Sequence, residues 1–193
     1  LLEIDELALM TIEAELRRDF PQVECVAVLG DCGDAAVMRH ALERAQPQAV
    51  FHAAAYKQVP VLEAQLREAV RNNVLATATV AEASRGAGVE SCVLISTDKA
   101  VDPANVLGAT KRMAEMVCQR FAAEYNTRFV TVRFGNVLDS AGSVVPLFRE
   151  QIRQGGPVTV THDEVTRYFM TIPEACQLIL QASAIGAQQA VYT

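Results

Sequence analysis

With 193 residues, 51% of them apolar and 21% charged, the chain is long enough to bury a sizeable core in one domain. Its net charge of -6 argues against nonspecific nucleic-acid or acidic-lipid binding, which needs clustered Lys and Arg. Cys25, Cys32, Cys92, Cys118 and Cys176 are an odd set with no Cys-x-x-Cys pair, so neither a disulfide framework nor a zinc site is indicated, and a reducing cytoplasm fits best. There is no signal-like start and no apolar run near the roughly 20 residues that span a bilayer, so no membrane contact is expected from this stretch.

In chain order, Leu1–Ile4, Val23–Leu29, Ala49–Ala54, Cys92–Ser96 and Phe129–Arg133 read as apolar strands. Helical patterns near Glu6–Phe20, Ala35–Ala45, Glu63–Gly86 and Val106–Tyr125 alternate with them. Such alternation predicts an α/β fold, a doubly wound parallel sheet with helices on both faces. After Arg133 the rhythm changes to Gly- and Pro-punctuated segments, with helices expected at Val145–Gln154 and Pro173–Ala184 and a strand at Val191-Tyr-Thr193. The expected organisation is one domain over 1–193, with a cofactor-binding part at 1–133 and part of a substrate-binding portion at 134–193.

A dinucleotide-binding fold opens with a strand and a glycine-rich turn that holds the pyrophosphate. None of the ten glycines supplies that turn. Leu1–Ile4 therefore reads as the second strand, with Glu3 placed to accept the adenosine ribose hydroxyls. A first βα unit is expected to be lacking, with the sequence trimmed at both ends. Gly30-Asp-Cys-Gly-Asp34 follows a strand, so Asp31 either receives the adenine amino group or merely makes a strand-to-helix turn. Ala53, Ala54 and Ala55 are small enough for a cofactor to approach the backbone closely. His52 reads as a satisfied core histidine, and His40 and His162 have no ligand-spaced partner, so no metal is expected.

Lys57 lies in a loop after the Ala49–Ala54 strand, facing a phosphate or sugar or simply water. Asn73 interrupts a long helix, where an Asn usually has a specific bonding partner. Arg133 and Arg167 would suit a diphosphate, since a guanidinium matches phosphate oxygens at two points, but surface ion pairs are the default for either arginine seen singly. The sharpest cluster is Thr97-Asp98-Lys99. It stands at the carboxyl end of a strand, where open α/β sheets bind ligands, and offers a hydrogen-bond donor, a proton donor and a base together. Asn105 then caps a helix on which Leu107-x-x-x-Lys111 places two side chains a turn apart. That is the spacing of the Tyr-x-x-x-Lys pair of short-chain dehydrogenase/reductases, with Leu where the Tyr belongs.

In His52-Ala-Ala-Ala-Tyr-Lys-Gln-Val-Pro60, Ser96-Thr-Asp-Lys-Ala100, Asn105-Val-Leu-Gly-Ala-Thr-Lys-Arg-Met-Ala-Glu115, Arg133-Phe-Gly-Asn-Val137, Gly142-Ser-Val-Val-Pro146 and Thr166-Arg-Tyr-Phe-Met-Thr171, the chain resembles the CapD-like branch of extended short-chain dehydrogenase/reductases, the UDP-N-acetylglucosamine 4,6-dehydratases. The resemblance covers essentially the whole chain. It implies a 4-ketone formed by oxidation at sugar C4, with Lys99 removing the C5 proton, Asp98 protonating the departing C6 hydroxyl and Thr97 bonding the C4 oxygen. Lys111 would hold the nicotinamide ribose, and Glu3, Asp31, Ala53, Ala54, Ala55, Asn73 and Ser96 would complete the site for NAD, preferred over NADP. Lys57, Asn136, Ser143, Val144 and Arg167 would hold the UDP-N-acetylhexosamine. The branch further implies a homo-oligomer and a place at the cytoplasmic face of a bacterial inner membrane, anchored there in full-length form. An epimerase, which needs only the C4 oxidation, and a catalytically silent NAD or nucleotide-sugar sensor stand as alternatives.

Overall fold

A computed structural model describes residues 1–124, 126–140 and 142–193. Its elements run β1 Leu2–Glu3, α1 Glu6–Asp19, β2 Val28–Leu29, α2 Ala35–Ala45, β3 Ala49–His52, α3 Val59–Ala64, α4 Leu66–Val70, a π-helical turn at Arg71–Leu75, α5 Ala76–Gly86, β4 Ser91–Thr97, a 3-10 turn at Asp98–Ala100, α6 Val106–Glu124, β5 Arg128–Phe134, β6 Asn136–Val137, α7 Val144–Arg153, β7 Phe169–Met170, α8 Ile172–Ile185 and β8 Val191–Tyr192. The main sheet has the order β3-β4-β5-β8 and is parallel throughout. Side chains alternate across a strand, so β4 sends Cys92 and Leu94 into a cluster with Met38, Leu42, Val80, Ala114, Cys118 and Phe129 under α2, α5 and α6. Val93 points the other way, joining Val130, Val132 and Ala182 beneath α8. Burial on both faces is why β4 and β5 read as unbroken apolar runs. The architecture is the doubly wound α/β, Rossmann-like one.

β1 and β2 pair with each other but not with β3. A cavity of about 510 Å³, lined by Leu2, Val28, Val50, Phe51 and Val80 among others, separates this ribbon from the main sheet. The ribbon falls short of Val23–Leu29 because only Val28 and Leu29 have a strand, β1, to pair with. The helix expected at Glu63–Gly86 is broken at Gln65 and distorted at the π turn. Ala35–Ala45 matches the structure at both ends, since Asp34 Oδ1 accepts from the amides of Ala36 and Val37. Tyr125, at the end of the expected sixth helix, lies outside the described residues.

Candidate active site

The carboxyl ends of β3, β4 and β5 open into a cleft of about 320 Å³ lined by Ala53, Ala55, Lys57, Gln58, Ser96, Thr97, Lys99, Leu107, Lys111, Asn136, Ser143 and Val144, with apolar side chains between them. A second cavity of about 320 Å³ holds Glu3, Asp31, Ala53, Ala54 and Ala55. Because Ala53 and Ala55 line both, the two cavities meet across the end of β3. A larger side chain at either position would fill the passage.

β4 delivers Thr97, whose backbone stays extended and whose hydroxyl accepts weakly from the Lys99 amide at 3.4 Å as the 3-10 turn begins. The Thr97 hydroxyl donates to Asp98 Oδ1 at 2.9 Å, and Lys99 Nζ donates to the same oxygen at 3.0 Å. Lys99 Nζ also reaches Asn136 Oδ1 at 3.3 Å. Burial alone would raise the Asp98 carboxyl, but the Lys99 ammonium and the Thr97 hydroxyl outweigh it and hold Asp98 below the usual carboxylate range. Asp98 is thus ionised at neutral pH. Lys99 lines the cleft, and Asp98 is bonded to it.

Asn105 caps α6 through the amide of Gly108 at 2.9 Å, and α6 brings Leu107 and Lys111 to the cleft. Lys111 is 4% exposed, with no hydrogen bond or ion pair among the described residues, and burial pulls its ammonium down to about 8. Leu107 packs with Leu62 and Ala69 and offers no proton-transfer group where the Tyr of the dehydrogenase pattern would stand. Gly108 was not singled out from the sequence. A Cβ there would collide with the Lys99 carbonyl oxygen, so only glycine lets α6 pack against the 3-10 turn. A glycine inside a helix, at a cost of about 1 kcal/mol, was the available signal.

Three residues read from the sequence as ligand contacts have protein partners. Asn73, 1% exposed, spends its side chain on the protein: Oδ1 accepts from the Tyr56 amide at 2.9 Å, and Nδ2 donates to the Tyr56 carbonyl and to Thr110 Oγ1, each at 3.1 Å. The π turn aims it at that loop, which it pins. Arg133 forks onto Glu115, with Nε at 2.8 Å and Nη2 at 2.5 Å, so its guanidinium is not free for a diphosphate. Ser96 lines the cleft but donates its proton to Glu115 Oε1 at 2.5 Å.

The remaining positions divide. Asp31 Oδ1 accepts from the Gly33 amide at 2.7 Å, as a turn-maker would, while Oδ2 lies 3.5 Å from Arg71. Glu3 Oε1 accepts from the amides of Ile4 and Asp5, leaving Oε2 without a hydrogen bond among the described residues. Ser143 Oγ, at the start of α7, is buried with no hydrogen-bond partner among the described residues. Lys57 is exposed at the cleft without an ion pair among the described residues. Arg167 is exposed, does not line the cleft, and folds back onto the Thr166 carbonyl at 2.7 Å. His52 is the core histidine expected, 2.9 Å from Thr77 Oγ1 and held neutral by burial, which lowers it to about 3.

A family model described as "Polysaccharide biosynthesis protein" matches residues 1–193. The chain belongs to that family. It is 51% identical over 188 residues to the capsular polysaccharide biosynthesis protein CapD of Staphylococcus aureus, covering 96% of this chain and 31% of that protein. It is 52% identical over 164 residues to the probable polysaccharide biosynthesis protein EpsC of Bacillus subtilis, covering 85% and 27%. A UDP-glucose 4-epimerase of Rickettsia rickettsii is 40% identical over 146 residues, covering 74% and 43%. The chain thus spans less than half the length of each. Among solved structures, Pen from Bacillus thuringiensis superposes with a TM-score of 0.87 at 33% identity, covering 95% of this chain and 58% of that one. A double mutant of DesIV of Streptomyces venezuelae, a dTDP-glucose 4,6-dehydratase, crystallised with NAD, gives 0.82 at 19% identity over 99% and 74%, and shares the fold. No helix among the described residues is long and apolar enough to cross a membrane.

Proposed function

We propose that the protein is a nucleotide-sugar 4,6-dehydratase acting on UDP-N-acetylglucosamine for polysaccharide biosynthesis. One observation carries this reading: Lys99, which lines the same cleft as Lys111, shares a 3.0 Å hydrogen bond with Asp98. The two cavities joined at Ala53 and Ala55, the small residues between them and Lys111, which has no partner among the described residues, would suit the two ends of NAD. Lys111 would hold the nicotinamide ribose. Glu3 Oε2 would accept the adenosine ribose hydroxyls and repel a 2′-phosphate, which favours NAD over NADP. When bound, the nicotinamide supplies hydride acceptance at C4 and return at C6.

The proton traffic follows from the pair. As a base Lys99 must be an amine, and as an acid Asp98 must be protonated, yet in the open cleft both are charged. Their hydrogen bond is the route between the two states, because moving one proton from Nζ to Oδ1 yields the neutral pair. A sugar nucleotide that fills the cleft and expels water favours that pair, since desolvation penalises charge. Lys99 then takes the C5 proton, acidified by the C4 ketone, while Asp98 protonates O6 as water leaves. That elimination returns both to their starting charge states; the Lys99 ammonium would then give a proton back to C5, and the proton that the C4 hydroxyl loses on oxidation, which Leu107 cannot take, would pass through a water at Thr97 and Lys111 and restore Lys99. Lys57, Ser143 and Val144 line the same cleft, where an ammonium and, once uncovered, a hydroxyl would suit a diphosphate or sugar.

The 40% identity to a UDP-glucose 4-epimerase favours a second reading, epimerisation at C4, in which Lys99 has no proton to remove. Incubating the full-length protein with UDP-N-acetylglucosamine in deuterated water separates the two. A dehydratase gives a C6 methyl and deuterium at C5 by NMR; an epimerase gives neither.

A further inference from the structure

Beneath the cleft lies a charged cluster that the proton traffic does not use. Glu115 is 0% exposed. Its carboxylate accepts from Ser96 Oγ on β4, from both arms of Arg133 on β5, and from Arg112 Nη1 at 3.0 Å on its own helix. A buried carboxylate is tolerable only with such compensation. These donors outweigh the upward push of burial and keep Glu115 ionised. The contacts tie together the segments that present Thr97 to Lys99, Gly135 to Asn136, and Lys111. Glu115 follows Lys111 by four residues, one turn along α6.

We propose that Glu115 is a positioning residue of this site: clamped by Arg133 and Arg112, it orients Ser96 and supplies the negative charge that lies beneath the Lys111 ammonium. The other titratable groups near Lys111 do not supply that charge. His52 from β3 is neutral, and burial pushes the Cys118 thiol up, so it is uncharged as well. Lys99, across the cleft, is a cation already engaged by Asp98. The Ser96 proton points at Glu115, which leaves the serine lone pairs to accept a hydrogen bond from the cleft. Arg133, whose guanidinium could by type have met a diphosphate, holds this carboxylate in place.

The catalytic half of this inference rests on the dehydratase reading; the electrostatic half does not. In the full-length protein, Lys111 is titrated by the pH dependence of its acylation with acetic anhydride, read by mass spectrometry. Glu115→Gln, with a melting temperature near that of the wild type, should lower the Lys111 midpoint by about one pH unit and lower kcat on the order of 10- to 100-fold with KM little changed. An unmoved midpoint, or an unchanged kcat, overturns the inference. If Glu115→Gln does not fold, Arg133→Lys decides. It keeps both charges but loses the fork, so the midpoint should stay and kcat should fall; a shifted midpoint or a wild-type kcat overturns the inference. The labelling needs no sugar nucleotide, so a wild type that forms no methyl product sinks the dehydratase reading alone. Normal turnover in Glu115→Gln sinks this inference alone.

Discussion

The two walls of the cleft are built differently. The floor, where β4, β5 and α6 meet, is buried: Ser96, Lys111 and Glu115 are each less than 5% exposed, and the β4–β5 register runs unbroken from Ser91↔Arg128 to Thr97↔Phe134. The opposite wall consists of the two-residue ribbon β6–β7 and of α7, which fully buries none of its residues. Lys99 to Asn136 joins wall to floor, and Gln58 Nε2 to the Gly142 carbonyl, at 3.2 Å, ties the wall to the loop after β3. A proton transfer tolerates little misplacement, whereas a substrate must enter and leave. Floor substitutions should therefore act on kcat or on stability, and wall substitutions on KM.

The largest effect is expected at the floor's edge. Lys99→Ala should lower deuterium incorporation at C5 by about 10²- to 10⁴-fold, measured by NMR with UDP-N-acetylglucosamine, while C4 oxidation persists. Exchange at the wild-type rate would remove Lys99 as the base.

Next comes Lys111. Its folded value of about 8 lies below the ordinary 10.5, so between those values the unfolded chain holds more protons and stability rises with pH. Below pH 8 the buried ammonium costs on the order of 3 kcal/mol, by 1.36 kcal/mol per pH unit. Lys111→Met should therefore be more stable than the wild type at pH 7, by urea denaturation, and that advantage should shrink towards pH 10.5. An advantage that did not vary with pH would mean Lys111 is not strained by burial.

Gly108→Ala should follow, destabilising the chain by about 1–3 kcal/mol through overpacking against the Lys99 carbonyl and separating Lys99 from the cleft. A melting temperature and a kcat like those of the wild type would show that the floor can yield there. The smallest effect belongs to the wall: Gln58→Ala removes one hydrogen bond, worth about 0.5–1.5 kcal/mol, and should raise KM several-fold with kcat held. A fall in kcat instead would mean the wall also positions the reacting groups.

Local patterns in the sequence determined the elements and their order. Buried parallel strands are continuous apolar runs and amphipathic helices repeat every 3.6 residues, so β3, β4, β5, α2 and α6 were legible, as was the grouping of Thr97, Asp98, Lys99 and Lys111 at one end of the sheet. Tertiary structure decided what each polar side chain does. Arg133 meets Glu115 across 18 positions and Asn73 meets Tyr56 across 17, and in both cases the partner is chosen by strand order and by a π turn that no local pattern announces. The requirement for glycine at position 108 is likewise a meeting of α6 with the turn after β4. Secondary structure follows from the spacing of neighbours along the chain; the occupation of a hydrogen-bonding group follows from what folding brings to it through space.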